Sequence, residues 1–256
     1  MQVGAALADV RFPGFVCDDE GENISGKNPS YCELTAQYWA WKNLDADYYG
    51  FFHYRRYLYP GETEKRPYCI EPAPSEACLR RLGYDHFEER IAGYDVVAPI
   101  GENMHISVRE HYAAARFHHA EDLSLAEEIV KRRNPEMGKA LESYLSGTVC
   151  YFGNIYIMKR PVFQSYCAWL FPILEEFDSR CDRTGYSAQE RRANGYLAER
   201  LFGVWLTYVR STLRVLELPR VHFIPDPYKR ARQKMLNALL PPGSLVRSKV
   251  KAAKKG

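Results

Sequence analysis

Residues 47–58 read DYYGFFHYRRYL, an aromatic run that ends abruptly in His53, Tyr54, Arg55 and Arg56. A short apolar run bounded by polar turns reads as a buried strand. Open α/β sheets bind ligands at the carboxyl ends of their strands, so a cationic cluster delivered there points to an anion. Upstream, Ser30 and Glu33 form an S-x-x-E capping-box pattern ahead of Leu34, Tyr38 and Trp41 at helical spacing. The unit from residue 23 to 56 therefore reads as polar loop, helix, acidic turn and strand. Loop and strand end share one edge in such a unit, so Asn23, Ser25, Lys27 and Asn28 are expected to face the same crevice as His53, Arg55 and Arg56. Arginine forks and helix N-termini are the two common phosphate holders, which favours a phosphorylated ligand such as a nucleotide diphosphate. Adjacent arginines on a continuing strand point to opposite faces, so at most one of Arg55 and Arg56 is expected to touch it. Paired with Asp45 or Asp47, both would instead be ordinary surface cations.

The remaining chain alternates in the same way. Ser75 opens a helix through EACLRRL, YDVVAPI (94–100) reads as a parallel strand, and Ser107 with Glu110 forms a second capping box. Asn134-Pro135 starts a helix that Gly147 closes. VCYFGNIYIMK (149–159) reads as one long strand, and Pro161 begins a helix reaching about Asp178. Ser187 with Glu190 caps a helix to about Arg210, and RVLELPRVHFI (214–224) reads as a final strand. Alternating helices and strands predict a mostly parallel sheet flanked by helices. One domain is expected over 1–240, followed by a basic, acid-free tail over 241–256 that is expected to be disordered.

With 256 residues, 46% of them hydrophobic and 26% charged, the chain has a globular composition. The net charge of +3 is too small to argue for a nucleic-acid partner. Seven cysteines, with no C-x-x-C pair and no His-Cys cluster at zinc spacing, favour a reducing cytoplasm over a disulfide scaffold. No run of about 18 apolar residues occurs, and the N-terminus has no basic-then-apolar leader, so a cytoplasmic protein is expected. The tail offers weak peripheral contact with an anionic membrane surface.

The run ENISGKNPSYCELTAQYWAWKN (22–43) with YYGFFHYRRYL (48–58) resembles the core motif of a bacterial family of uncharacterised-domain proteins from capsular and exopolysaccharide loci, regarded as glycosyltransferase-like. The likeness continues, in order, through SVREHYAAARFHHAEDL (107–123), YFGNIYIMKRPVFQSYCAWLFPIL (151–174) and QERRANGYLAERLFGVWL (189–206). The wider pattern is similar to GT-A glycosyltransferases. That resemblance implies a GT-A-like fold, a nucleotide-sugar donor and a lipid-linked capsular, exopolysaccharide or O-antigen glycan acceptor, with no nucleic-acid partner. Those enzymes carry an Asp-x-Asp metal motif where this chain has His53-Tyr54-Arg55. Cations would neutralise a leaving diphosphate without metal, and Mn²⁺ or Mg²⁺ stays open as an alternative. Asp45-Ala46-Asp47 precedes the strand and reads as a turn. Relatives also begin with a strand ahead of VGAAL, so the first strand is expected to be missing, which puts activity of the chain as written in doubt.

On this reading His53, Tyr54, Arg55 and Arg56 join Asn23, Ser25, Lys27 and Asn28 as the donor site. Inverting transfer needs a carboxylate base. Glu199 is the candidate, with His53 as a second catalytic group. Arg192 and Tyr196 share a helix face with Glu199 and, with Asn154, form the acceptor side. Asn154, an amide inside an apolar strand, must find a partner, and Gly195 beside Tyr196 signals close approach. His118, His119 and Asp122 read as a helix boundary rather than a metal site. A phosphoryl-type transferase, or a non-catalytic glycan- or RNA-binding module, is the competing reading.

Overall fold

The computed structural model describes residues 1–61 and 67–247. In chain order its strands are β1 (Tyr48–Phe51), β2 (Arg56–Leu58), β3 (Tyr68–Glu71), β4 (Val96–Pro99), β5 (Glu102–Asn103), β6 (Val149–Cys150), β7 (Tyr156–Lys159), β8 (Val215–Leu218) and β9 (Arg220–Phe223). The helices are α1 (Asn28–Tyr31), α2 (Leu34–Asn43), α3 (Glu76–Arg81), α4 (Phe87–Ile91), α5 (Val108–Ala113), α6 (Ala120–Arg133), α7 (Gly138–Ser146), α8 (Arg160–Arg180), α9 (Ala193–Val209) and α10 (Pro227–Leu239).

A four-stranded sheet in the order β1-β7-β4-β8 forms the centre, and helices flank it. Its strands agree in direction three to one: β8 runs parallel to β4, while β7 runs against both β1 and β4. A second sheet, β2-β9-β3, extends the architecture, and β5 pairs with β6. The expected α/β arrangement with flanking helices holds, but the central sheet is mixed rather than mostly parallel, because β7 pairs antiparallel with both its neighbours, and two strands expected to be continuous are broken. The run at 149–159 stops after Cys150 and resumes at Tyr156, because Gly153 (φ 97°) and Asn154 (φ 48°) turn the chain through the left-handed region. The run at 214–224 divides at Pro219, which has no N–H to give a ladder, so β8 ends one sheet and β9 starts another.

Local caps account for several helix starts. Ser75 caps α3, and Ser107 with Glu110 makes a complete capping box on α5. The Ser187 amide donates to Glu190 at 2.7 Å, opening the turn that leads into α9. Ser30 and Glu33 do not form the expected box. The chain breaks between them at Cys32 (φ 53°), Ser30 Oγ has no partner, and Glu33 turns toward Asn154. α8 buries Phe163, Tyr166, Leu170, Phe171, Leu174 and Phe177 under the sheet, each contributing roughly 1.5–3 kcal/mol of transfer free energy. α7 and α9 pack so closely at Gly203 that an added Cβ would lie 2.0 Å from the Tyr144 ring.

The N-terminal segment is tied down by a buried Asp18 carboxylate. It accepts from the amides of Gly4 (2.8 Å) and Ala5 (2.9 Å) and from the hydroxyls of Ser25 and Thr35, both at 2.6 Å. The basic run from 247 lies outside the described residues after Arg247. No helix among the described residues is long and apolar enough to cross a membrane.

Replacing Asp18 by Ala strands the Gly4 and Ala5 amides and the Ser25 hydroxyl, each worth about 1–3 kcal/mol when left unsatisfied, while the Thr35 hydroxyl keeps the Cys32 carbonyl at 3.1 Å. Asp18→Ala should therefore lower the melting temperature markedly, and Asp18→Asn less; a thermal melt unchanged in Asp18→Ala would contradict the role given to this carboxylate.

Candidate active site

β1 ends in a tight reversal. His53 and Arg56 exchange backbone hydrogen bonds at 3.1 and 3.0 Å, so Tyr54 and Arg55 form the tip of a two-residue turn. The strand therefore does not continue through the cluster, and the opposite-face rule does not govern the two arginines. Tyr54 is 71% exposed, with the Arg55 guanidinium 4.5 Å over its ring. Arg56 belongs to β2, which pairs antiparallel with β9 and sets Arg56 opposite His222. Residues two apart on a strand share a face, so Arg220 joins them.

The Arg56 guanidinium is half-buried and has no hydrogen-bond or ion-pair partner among the described residues. Burial first, then the charge of Arg220, pulls its pKa below the usual arginine range. Arg220 is 2% exposed; it pairs with Glu102 and donates to the Phe152 carbonyl at 3.4 Å, while its Nε has no partner. His222 stacks flat on Tyr68, with ring centroids 4.2 Å apart. Burial, then Arg220 and Arg56, holds its pKa down to about 3. Burial, then Arg56, Arg55 and Arg192, brings His53 down to about 4. Both imidazoles are therefore neutral at neutral pH, and the positive charge of the site comes from guanidinium groups.

Across from this cluster lies the Gly153-Asn154 turn. The Gly153 amide donates to Glu199 Oε1 at 2.7 Å, and Glu199 Oε2 lies 3.3 Å from Arg200. Asn154 is 5% exposed; its Nδ2 donates to Glu33 Oε1 (2.7 Å) and the Gly195 carbonyl (3.1 Å), and its own carbonyl accepts from Gln37 Nε2 (3.1 Å). Its Oδ1 is buried without a partner among the described residues. Burial raises the pKa of Glu33, opposed by its hydrogen bond from Asn154. Gly195 sits at the start of α9 where an added Cβ would meet Cys32 Sγ at 3.2 Å, which is the close approach its position signals. A cleft of about 400 Å³ runs along β1, lined among others by Glu33, Gln37, Gly50, His53 and Asn154. β1 is one of the two edge strands of its sheet among the described residues.

The structure brings together His53, Arg55, Arg56, Asn154, Arg192, Tyr196 and Glu199. Arg192 donates to Cys32 Sγ (3.1 Å) and lies 5.7 Å from the Tyr196 ring centroid, and Tyr196 Oη donates to the Gln189 carbonyl at 3.1 Å. Asn23, Ser25, Lys27 and Asn28 stand apart from it, with their polar groups engaged internally. Asn23 donates to the carbonyls of Asp19 and Gly21, and Ser25 bonds Asp18. Lys27 pairs with Asp178 at 3.6 Å, and Asn28 donates to the Cys32 carbonyl at 2.8 Å. Asn154 is not mid-strand as expected but at the break. Glu33, Arg220 and His222 were missed; alternation of Arg220 and His222 with the buried Val221 and Phe223 was the available signal for the last two.

No group of three or more His, Cys, Asp or Glu suited to a metal exists among the described residues. Asp45 and Asp47 lie at the opposite end of β1 from His53 and pair with Arg160, in keeping with a turn. His118 sits between the rings of Tyr112 and Tyr196, whereas His119 stacks on Tyr186, whose hydroxyl donates to Asp122 at 2.9 Å.

The architecture is a glycosyltransferase-like fold of the GT-A type. The chain is similar to the apo structure of WbbM, a bifunctional glycosyltransferase, with 33% identity and a TM-score of 0.81 over 86% of its own length and 41% of the WbbM chain. It thus spans under half of that protein. Residues 1–210 match the model of the domain of unknown function DUF4422, and the chain belongs to that family. No curated protein sequence matches it.

The two depressed histidines make a signed prediction. The unfolded chain binds protons near the ordinary histidine value of about 6.5, before the folded chain does. The stability held by the neutral rings is whole above that pH. It is lost on acidification through about 4 for His53 and about 3 for His222. Melting temperature should fall from pH 7 toward 5, and His53→Gln with His222→Phe should flatten that slope; an unchanged slope would contradict the assignment.

Proposed function

We propose that the chain transfers one glycosyl unit from a nucleoside-diphosphate sugar to a glycan acceptor. The observation that carries this reading is the half-buried Arg56 guanidinium, without a partner among the described residues, close to the charges of Arg220 and Arg55 and bridged through its backbone to His53, which lines the cleft. An unpaired buried cation is costly unless a ligand supplies the anion. Similarity to a bifunctional glycosyltransferase, of which the chain spans 41%, supports assigning it one transfer step.

In the step, the bond between the sugar C1 and the donor diphosphate breaks and the diphosphate leaves with the electron pair. Arg56, Arg55 and Arg192 neutralise it through charge-assisted hydrogen bonds. The acceptor hydroxyl oxygen forms the new bond to C1, and its proton passes to a carboxylate. Two carboxylates flank the Asn154 turn. Glu199 is occupied by the Gly153 amide and Arg200, which suits it to holding the turn in place. Glu33, whose pKa burial raises, is the better proton acceptor of the two. His53 remains neutral and serves as a hydrogen-bonding group, and Asn154 Oδ1 accepts from a sugar hydroxyl. The acceptor is read as a lipid-linked capsular, exopolysaccharide or O-antigen glycan, following the motif resemblance.

The test is a thermal-shift screen of nucleoside diphosphates and their sugars, with and without Mn²⁺ or Mg²⁺, on wild type and Arg56→Met. The methionine keeps the apolar stem but removes the charge. Arg56→Met should melt higher than wild type without ligand and lose most of the ligand-induced shift, about tenfold or more in affinity. Glu33→Gln should lower kcat by about 10²-fold or more with little change in donor KM. Donor binding unchanged in Arg56→Met would overturn the proposal.

A further inference from the structure

The geometry points to α10 as an interfacial helix that seats the protein on an anionic lipid surface. α10 is docked with its polarity reversed. Its half-buried positions are Arg230, Gln233 and Asn237, spaced along one face. Arg230 donates to the carbonyls of Ile224 (2.8 Å) and Pro225 (2.9 Å), and Asn237 Oδ1 accepts from Tyr68 Oη (3.1 Å), Gln233 (3.0 Å) and Arg247 (2.8 Å). The opposite face carries Tyr228, Ala231, Met235 and Leu239 at spacings of three and four residues, which is one helical stripe. Tyr228 is 88% exposed, Met235 65% and Leu239 68%, so the apolar stripe faces outward. Leu245 and Val246, shortly after the helix, are also exposed. No residue of α10 is fully buried. A helix held to its protein by polar residues while its apolar stripe stays outside needs an apolar partner.

Charge identifies that partner. Residues 227–256 hold nine of the 35 Lys and Arg residues and none of the 32 Asp and Glu residues. The rest of the chain is therefore net acidic, with 26 basic against 32 acidic residues. Lys229, Arg232 and Lys234 flank the apolar stripe and are exposed. An apolar stripe bordered by cations, with no acid after Asp226, matches a bilayer whose interior takes the stripe and whose anionic headgroups take the cations. α10 lies on β3, whose neighbour β9 carries Arg220 and His222, so the docked face would hold the candidate site near the lipid surface. The inference stands apart from glycosyl transfer, because its test uses neither donor nor acceptor.

The experiment is flotation of the full chain with phosphatidylcholine vesicles, pure or containing roughly 30% phosphatidylglycerol, at about 0.1 M salt. Wild type should float with the anionic vesicles and not with the neutral ones. Met235→Gln with Leu239→Gln alters two exposed side chains and no charge, so the melting temperature should hold while vesicle binding falls about tenfold or more. Equal flotation of that variant would overturn the proposal, since the basic residues alone would then suffice. Failure of wild type to float would also overturn it. So would a solution dimer that the same two substitutions dissociate, because a second copy would then cover the stripe.

Discussion

The Gly153-Asn154 turn is the constraint on which the site depends. Two consecutive residues in the left-handed region interrupt a run that would otherwise pair as one strand. Left-handed backbone costs little for glycine and is tolerated by asparagine. Here it is held from three sides: Gln37 of α2 takes the Asn154 carbonyl, Glu33 and Gly195 take its side-chain amide, and Glu199 of α9 takes the Gly153 amide. Gln37 also accepts from the buried Tyr156 hydroxyl at 2.7 Å, so the turn is locked to the strand that follows it. The same set of bonds that fixes α2 and α9 against the sheet leaves Asn154 Oδ1 unused in the cleft wall. Fold and site are in this sense one network.

Charge is distributed unevenly around that network. On the outer surfaces, cations and carboxylates pair routinely, as with Arg80 and Glu76, or Arg180 and Glu128. Such exposed pairs contribute at most about 1 kcal/mol each. Around Arg56 the pattern reverses. Arg56 is drawn inward beside Arg220, His222 and His53 without a carboxylate of its own, and both histidines respond by losing their protons. A fold optimised only for stability would place an acid there. Functional sites retain such local cost because the ligand completes them.

Legibility in the sequence followed the range of the interaction. Ser75, Ser107 with Glu110, and Ser187 with Glu190 act within three residues, and their reading carried over to the structure. Ser30 with Glu33 has the same spacing, yet Glu33 bonds a residue 121 positions away, which no local pattern reveals. The polar loop of Asn23, Ser25, Lys27 and Asn28 reads in sequence as ligand-binding chemistry, whereas the partners its side chains take in the structure, such as the buried Asp18 for Ser25 and Asp178 for Lys27, are set by tertiary contacts. Gly153-Asn154 and Pro219 were visible breakers inside runs read as continuous strands; turn chemistry outweighed apolar content at both. On the face shared by Arg56, Arg220 and His222, cross-strand register supplied what sequence order conceals. α10 shows the converse, since its amphipathic pattern is plain in sequence while only the structure reveals that the apolar side faces out.

The central claim is that the guanidinium cluster around Arg56 is completed by a diphosphate. The most direct measurement is a crystal structure with a nucleoside diphosphate bound. The account predicts phosphate oxygens within about 3 Å of the Arg56 guanidinium, with the nucleotide in the cleft beside β1. A diphosphate held instead by the Asn23–Asn28 loop, or bound elsewhere with Arg56 still unpaired, would contradict it.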